Sequence, residues 1–194
     1  MEVITAPTKD IYNWKTSVFL AGGITDCPDW QSEVIKYLEK YDLNTRIMLK
    51  VYNPRRKNFD IREDSAEEQI KWEHDMINRS DIFSMYFCNS DSVRPICMYE
   101  LGVRMGRIAG RGFDHSKGYR TIISIEDGYK RADDVIIQVG LALPDMKINL
   151  HATAASHAQL IIEQYDIIRK YNRKNPPMVF DSEVTTPNCI LKNI

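Results

Sequence analysis

Residues 17–23, SVFLAGG, decide how this chain is read. Ser17 to Ala21 is a short apolar run that reads as a buried strand, and it stops at a double glycine. Working outward, the loop ITDCPD leads into a helix over about 30–41, with Trp30, Val34, Ile35 and Leu38 on one face and Asp29 as its N-cap. RIMLKVYNP is a second strand stopped by Pro54, and polar residues 55–64 form a loop. SAEEQIKWEHDMINR is the second helix, and its Ser65 and Glu68 make a capping-box pattern. Ile82 to Phe87 is a third strand; CNSDSVR then leads to a third helix with Pro95 in its first turn. YRTIISIE is a fourth strand closed by the turn signal Asp127-Gly128. DDVIIQVGLAL reads as helix, MKINL as a short fifth strand and ASHAQLIIEQYDIIRKYN as a long final helix.

Strands alternating with helices of this length predict a single α/β domain, Rossmann-like (flavodoxin-like), with a parallel sheet of about five strands and helices on both faces. Right-handed crossovers place all strand C-termini, and so any ligand, at one edge. The domain is expected over 17–174, after a lead-in of 1–16 and before residues 175–194, a tail or an arm packing on a neighbouring subunit. A chain of 194 residues suits one such domain.

With 43% hydrophobic and 27% charged residues, the composition is that of an ordinary globular protein. A net charge of −1 supplies no basic field for a nucleic-acid polymer and no polybasic membrane patch. No apolar run is long enough to predict a membrane span, and the N-terminus lacks a secretory pattern. Four scattered cysteines without a CxxC predict reduced thiols and a cytoplasmic location. The four histidines form no HExxH and pair with no cysteine, so neither a metal nor another cofactor is expected.

Two glutamates stand where the helical pattern calls for apolar residues. Glu73 lies on the stripe Ala66, Ile70, Glu73, Ile77, and Glu100 lies between Ile96 and Val103 beside the stripe Cys97, Leu101, Met105, Ile108. An inward carboxylate is costly to desolvate. Two of them beside strand ends point to a catalytic pair; the alternative is that one or both face solvent at a stripe edge. Asp75, two residues from Glu73, faces nearly the opposite way.

Loops supply the remaining candidates. Gly22, Gly23, Ile24 and Thr25 follow the first strand, where glycines let a ligand approach and free amides hold an anion, or where they simply make a tight turn. The stretch is neither GxGxxG nor a phosphate loop of the GxxxxGK[ST] type. Asn53 and Arg55, or Arg56, follow the second strand on the same edge and would meet a phosphate or carboxylate, with a surface arginine as the alternative. Trp72 would either stack on a nucleobase or pack in the core, and packing is the commoner role of a tryptophan. Asp81 suits a turn.

Taken in order, VFLAGGIT, YNPRR, QIKWEHDMINRSDI and PICMYELG resemble the nucleoside 2-deoxyribosyltransferase-like superfamily, which includes base-exchanging transferases and 2′-deoxynucleoside 5′-phosphate N-hydrolases. The likeness covers about residues 17–125. It implies that the glutamate of YELG, Glu100, is the nucleophile, and that Glu73 is the second acidic residue, with Asp75 as the fallback. Two departures stand out. Phe19 replaces the tyrosine of the transferases' first strand. Arg94 stands six residues before the nucleophile, where transferases carry an acid and phosphate-preferring hydrolases a serine. Arg94 is expected near a phosphate, assisted by helix amides. The resemblance further implies a nucleoside or nucleotide substrate and a homodimer or higher oligomer. Cleavage or transfer of an N-glycosidic bond through a glycosyl-enzyme is the expected function. The alternative is a non-catalytic protein that binds a nucleotide or an ADP-ribose-like ligand.

Overall fold

The computed structural model describes residues 1–10, 15–56, 65–92, 94–111 and 120–174. The expected tail at 175–194 and the loop from 57 to 64 lie outside the described residues. Five strands, all parallel, form one sheet in the order β1-β3-β2-β4-β5: β1 (Glu2–Thr5), β2 (Thr16–Gly22), β3 (Leu49–Asn53), β4 (Ile82–Phe87) and β5 (Thr121–Ile125). The helices are α1 (Trp30–Thr45), α2 (Ser65–Arg79), α3 (Pro95–Arg111), α4 (Ala132–Ala142) and α5 (Ala154–Lys174). The α/β class and the parallel five-strand sheet are as the sequence predicts.

Alternation along β2 divides the core. Val18 and Leu20 join Trp30, Val34 and Leu38 of α1 and Ile161 and Tyr165 of α5 on one face. Phe19 and Ala21 join Trp72 and Met76 of α2, Leu101 and Met105 of α3 and Val135 and Val139 of α4 on the other. Covered on both sides, β2 to β5 are buried along almost their whole length, which is why they read as continuous apolar runs. Each large side chain so withdrawn contributes roughly 1.5–3 kcal/mol. Asp29 caps α1 as expected, accepting the Ser32 amide at 3.1 Å.

Two expectations change. Part of the lead-in is the edge strand β1, in register from Glu2 against Lys50 to Thr5 against Asn53. The following segment is tied down by a buried Lys50–Asp10 ion pair, by the Tyr52 hydroxyl donating to Asp10 at 2.7 Å, and by Trp72 Nε1 donating to the Thr8 carbonyl at 2.8 Å. Conversely, MKINL forms no strand. Only Asn149 bridges to Ser124, and the Asn149 side chain bonds the hydroxyls of Ser124 and Ser156. Backbone bonds join Asn149 to Ile123 and Ile125, but Leu150 is left 46% exposed and His151 turns the chain at φ 54°, so the pairing stays a single bridge. No described helix is long and apolar enough to cross a membrane.

Candidate active site

The central strand β2 is paired to β3 on one side and β4 on the other, so the crevice beyond the carboxyl ends of β2 and β4 is the topological switch point of the sheet. A cavity of about 310 Å³ opens there. Gly22 to Thr25 line it from β2, Pro54 from β3, Glu73 from α2, and Arg94, Cys97 and Glu100 from α3 and its approach. A second cavity, of about 620 Å³, shares Ile24, Thr25, Pro54 and Glu73 and continues past Asn53, Arg55, Arg56 and Gln69.

The double glycine is needed for close approach. A Cβ on Gly22, whose φ is 151°, would stand 2.5 Å from the Tyr86 carbonyl oxygen and 2.6 Å from the Trp30 ring. One on Gly23 would stand 2.6 Å from Arg94 Nε. Trp30 Nε1 donates to the Gly23 carbonyl at 3.0 Å. Arg55 braces the same loop: Nε donates to Gln31 Oε1 at 2.9 Å, Nη2 donates to the carbonyls of Pro28 (2.9 Å) and Cys27 (3.3 Å), and Asp29 lies 3.3 Å away. Asn53 is partly engaged as well, its Oδ1 accepting the Arg55 amide at 3.0 Å.

Arg94 takes a left-handed backbone at φ 50°, which costs a non-glycine residue roughly 1–2 kcal/mol. The residue is only 5% exposed. Nε donates to Cys27 Sγ at 3.3 Å, Nη2 donates to the Ser90 hydroxyl, and the guanidinium sits 5.0 Å over the Tyr129 ring. No carboxylate among the described residues pairs with it, and Nη1 and the Tyr129 hydroxyl are both buried without partners.

Glu73 and Glu100 converge on the first cavity from two helices. Burial, and then the charge of Glu73, push the Glu100 carboxyl up to about 8. Burial also raises Glu73, but a hydrogen bond from Gln69 and the charge of Arg56 pull it back. Both carboxyls are raised by burial, and among the described residues only Glu73 has a donor and a cation that favour its charged form. Glu100 makes no hydrogen bond among the described residues. Two carboxyl groups facing a shared cavity can supply a nucleophile and a proton relay.

The stripe expected on α2 is displaced by one position. Ala66 is exposed and Ile70 is 65% exposed, while Gln69, Trp72 and Met76 face inward, because Trp72 fills the space against Phe19 and Tyr52. Glu73 thus sits at the border of the buried face, where a cavity can reach it. On α3 the stripe Cys97, Leu101, Met105 is buried as expected and Ile108 partly so, while Ile96 is 63% exposed. Trp72 lines neither cavity and takes the packing alternative. Asp75 is exposed beside His74, and Asp81 accepts the Ser17 amide and hydroxyl, both away from the cavity. The sequence reading missed Gln69, whose signal was its position one helical turn before Glu73.

A family model described as nucleoside 2-deoxyribosyltransferase like matches residues 15–111, which include every residue lining the first cavity. No curated protein matches the chain.

Proposed function

The chain belongs to the nucleoside 2-deoxyribosyltransferase-like family, whose chemistry is glycosyl transfer on nucleosides, and we propose that it cleaves or transfers the N-glycosidic bond of a deoxynucleoside or its 5′-phosphate through a glycosyl-enzyme on Glu100. The observation that carries this reading is the pair Glu73 and Glu100 lining one cavity, both raised by burial and Glu100 raised further by the charge of Glu73. Bond breaking develops oxocarbenium character at C1′, so it needs a carboxylate at the sugar and a proton for the departing base. The proton of the pair passes by way of Glu73 to the base. Glu100 Oε then bonds C1′ as a carboxylate, and the glycosidic electrons leave with the base. Water releases the sugar in a hydrolase; a second base does so in a transferase.

The glycine loop, Gly22 to Thr25, would lie along the sugar. Arg94 and the first amides of α3 would take an anionic group, since a buried guanidinium without an acid partner is completed by one. Arg55 and Asn53 would act from the second cavity, chiefly by holding the rim. Ile96 and Tyr99 of α3 are 63% and 70% exposed, and a second copy of the chain would cover them. The test is incubation with deoxynucleosides and with their 5′-monophosphates, followed by chromatography for free base and by mass spectrometry for a glycosyl adduct on Glu100. An adduct on another residue, or full turnover by Glu100→Gln, rejects the assignment.

A further inference from the structure

We propose that Gln69 is a positioning residue: its amide, gripped by Arg56 and the Pro54 carbonyl, fixes the Glu73 carboxylate in the cavity and favours its charged form. The inference rests on the two-carboxylate reading of the site. Gln69 is 8% exposed and lies one helical turn before Glu73, on the same side of α2. Its Nε2 donates to Glu73 Oε1 at 2.6 Å and to the Pro54 carbonyl at 2.8 Å, and its Oε1 accepts from Arg56 Nε at 2.5 Å.

These three bonds determine the amide's orientation. Flipped, its oxygen would face a carbonyl and a carboxylate, and its NH₂ would face a guanidinium, so each contact would set like against like. Both amide donors are used, and one of them is committed to Glu73. Arg56 draws electron density from the amide oxygen and so strengthens the N–H that Glu73 accepts. Glu100 has no such donor among the described residues, which is the asymmetry that separates the two acids.

The charged groups around Glu73 agree with that division. Glu100 faces it from α3 and Arg94 from the approach to α3. Arg56 faces it from the segment after β3, and Arg55 and Asp29 line the adjoining cavity. His74 and Asp75 on its own helix are exposed. Burial drives both carboxyls up, but only Glu73 is drawn back, by Gln69 first and Arg56 second.

The experiment titrates the ¹³C-labelled glutamate carboxyls of the full chain by NMR, in the wild type, Gln69→Met and Arg56→Gln, alongside steady-state kinetics. In Gln69→Met the Glu73 midpoint should rise by roughly one pH unit and the Glu100 midpoint should fall. The kcat should drop by roughly tenfold or more, with KM changing by less than about threefold. Arg56→Gln should move the Glu73 midpoint the same way by less, and it carries the test if Gln69→Met does not fold. Unchanged glutamate midpoints in a folded variant overturn the proposal. Should the wild type release no base, the proposed reaction fails, while the titration still decides whether Gln69 sets the charge on Glu73.

Discussion

Glu100 and His157 lie on opposite sides of the same sheet, and at both burial disfavours the ionised form. His157 is fully buried on α5, its Nε2 2.6 Å from the Ser84 hydroxyl and its Nδ1 2.7 Å from that of Ser124, with Trp30 and Tyr86 against its ring. Asn149 Nδ2 donates to the same Ser124 oxygen at 3.1 Å, and burial lowers the imidazole to about 3. Every valence of that ring is used. Glu100 has none of its valences used among the described residues, and it borders a cavity. Burial and a displaced pKa are common to both sites; what separates a candidate catalyst from a structural polar cluster is an unsatisfied group with room for a ligand beside it.

The largest effect expected from that difference is on turnover. Glu100→Gln should lower kcat by roughly 10³-fold or more while the protein stays folded, measured by base release and circular dichroism. If the contrast holds, His157→Ala does the reverse. Removing the ring strands the Ser84 hydroxyl, leaves Ser124 with Asn149 alone and opens a cavity, costing roughly 3–5 kcal/mol in urea unfolding, with kcat per folded molecule unchanged. A large fall in kcat for the folded His157 variant would erase the distinction.

The two groups should also tilt stability in opposite directions with pH. The folded pKa of His157 lies below its unfolded 6.5, so the unfolded chain binds more protons between the two values. Its contribution is full above about pH 6.5 and is lost as pH falls toward 3. The folded pKa of Glu100 lies above its unfolded 4.5, so stability declines as pH rises from 4.5 through about 8. Glu100→Gln, which cannot ionise, should therefore be more stable than wild type at pH 9, by on the order of 1–3 kcal/mol once residual solvent contact is discounted. Urea titrations at pH 4, 7 and 9 read both slopes. The smallest effect expected is for Phe19→Tyr. It brings a hydroxyl to the cavity wall and should change KM by a few-fold, with stability within about 1 kcal/mol.

Strands β2 to β5 were legible because burial on both faces writes them as unbroken apolar runs between turn signals. Strand β1 was not, because a four-residue edge strand needs little apolar content and its place depends on pairing with β3, a contact no local pattern encodes. Asn149 shows the converse: MKINL has strand-like residues, but its pairing with β5 is confined to one bridge at Asn149, because the chain turns at His151. At the site, the glycine loop and both glutamates could be picked out from spacing and motif order. The phase of α2 could not, since Trp72 and Met76, rather than Ala66 and Ile70, turned out to face the sheet. Nor could the engagement of Arg55, which depends on carbonyls 27 and 28 positions earlier in the chain.

That engagement bears on how a ligand is received. With Arg55 clasping the Cys27 and Pro28 carbonyls and the Gln31 amide, the rim beside Gly23 is braced by hydrogen bonds within the chain itself. A visiting nucleoside would meet a finished mould rather than a segment that must first be ordered. Affinity would then follow the outline of the visitor, and close mimics of fixed shape would make the better competitors.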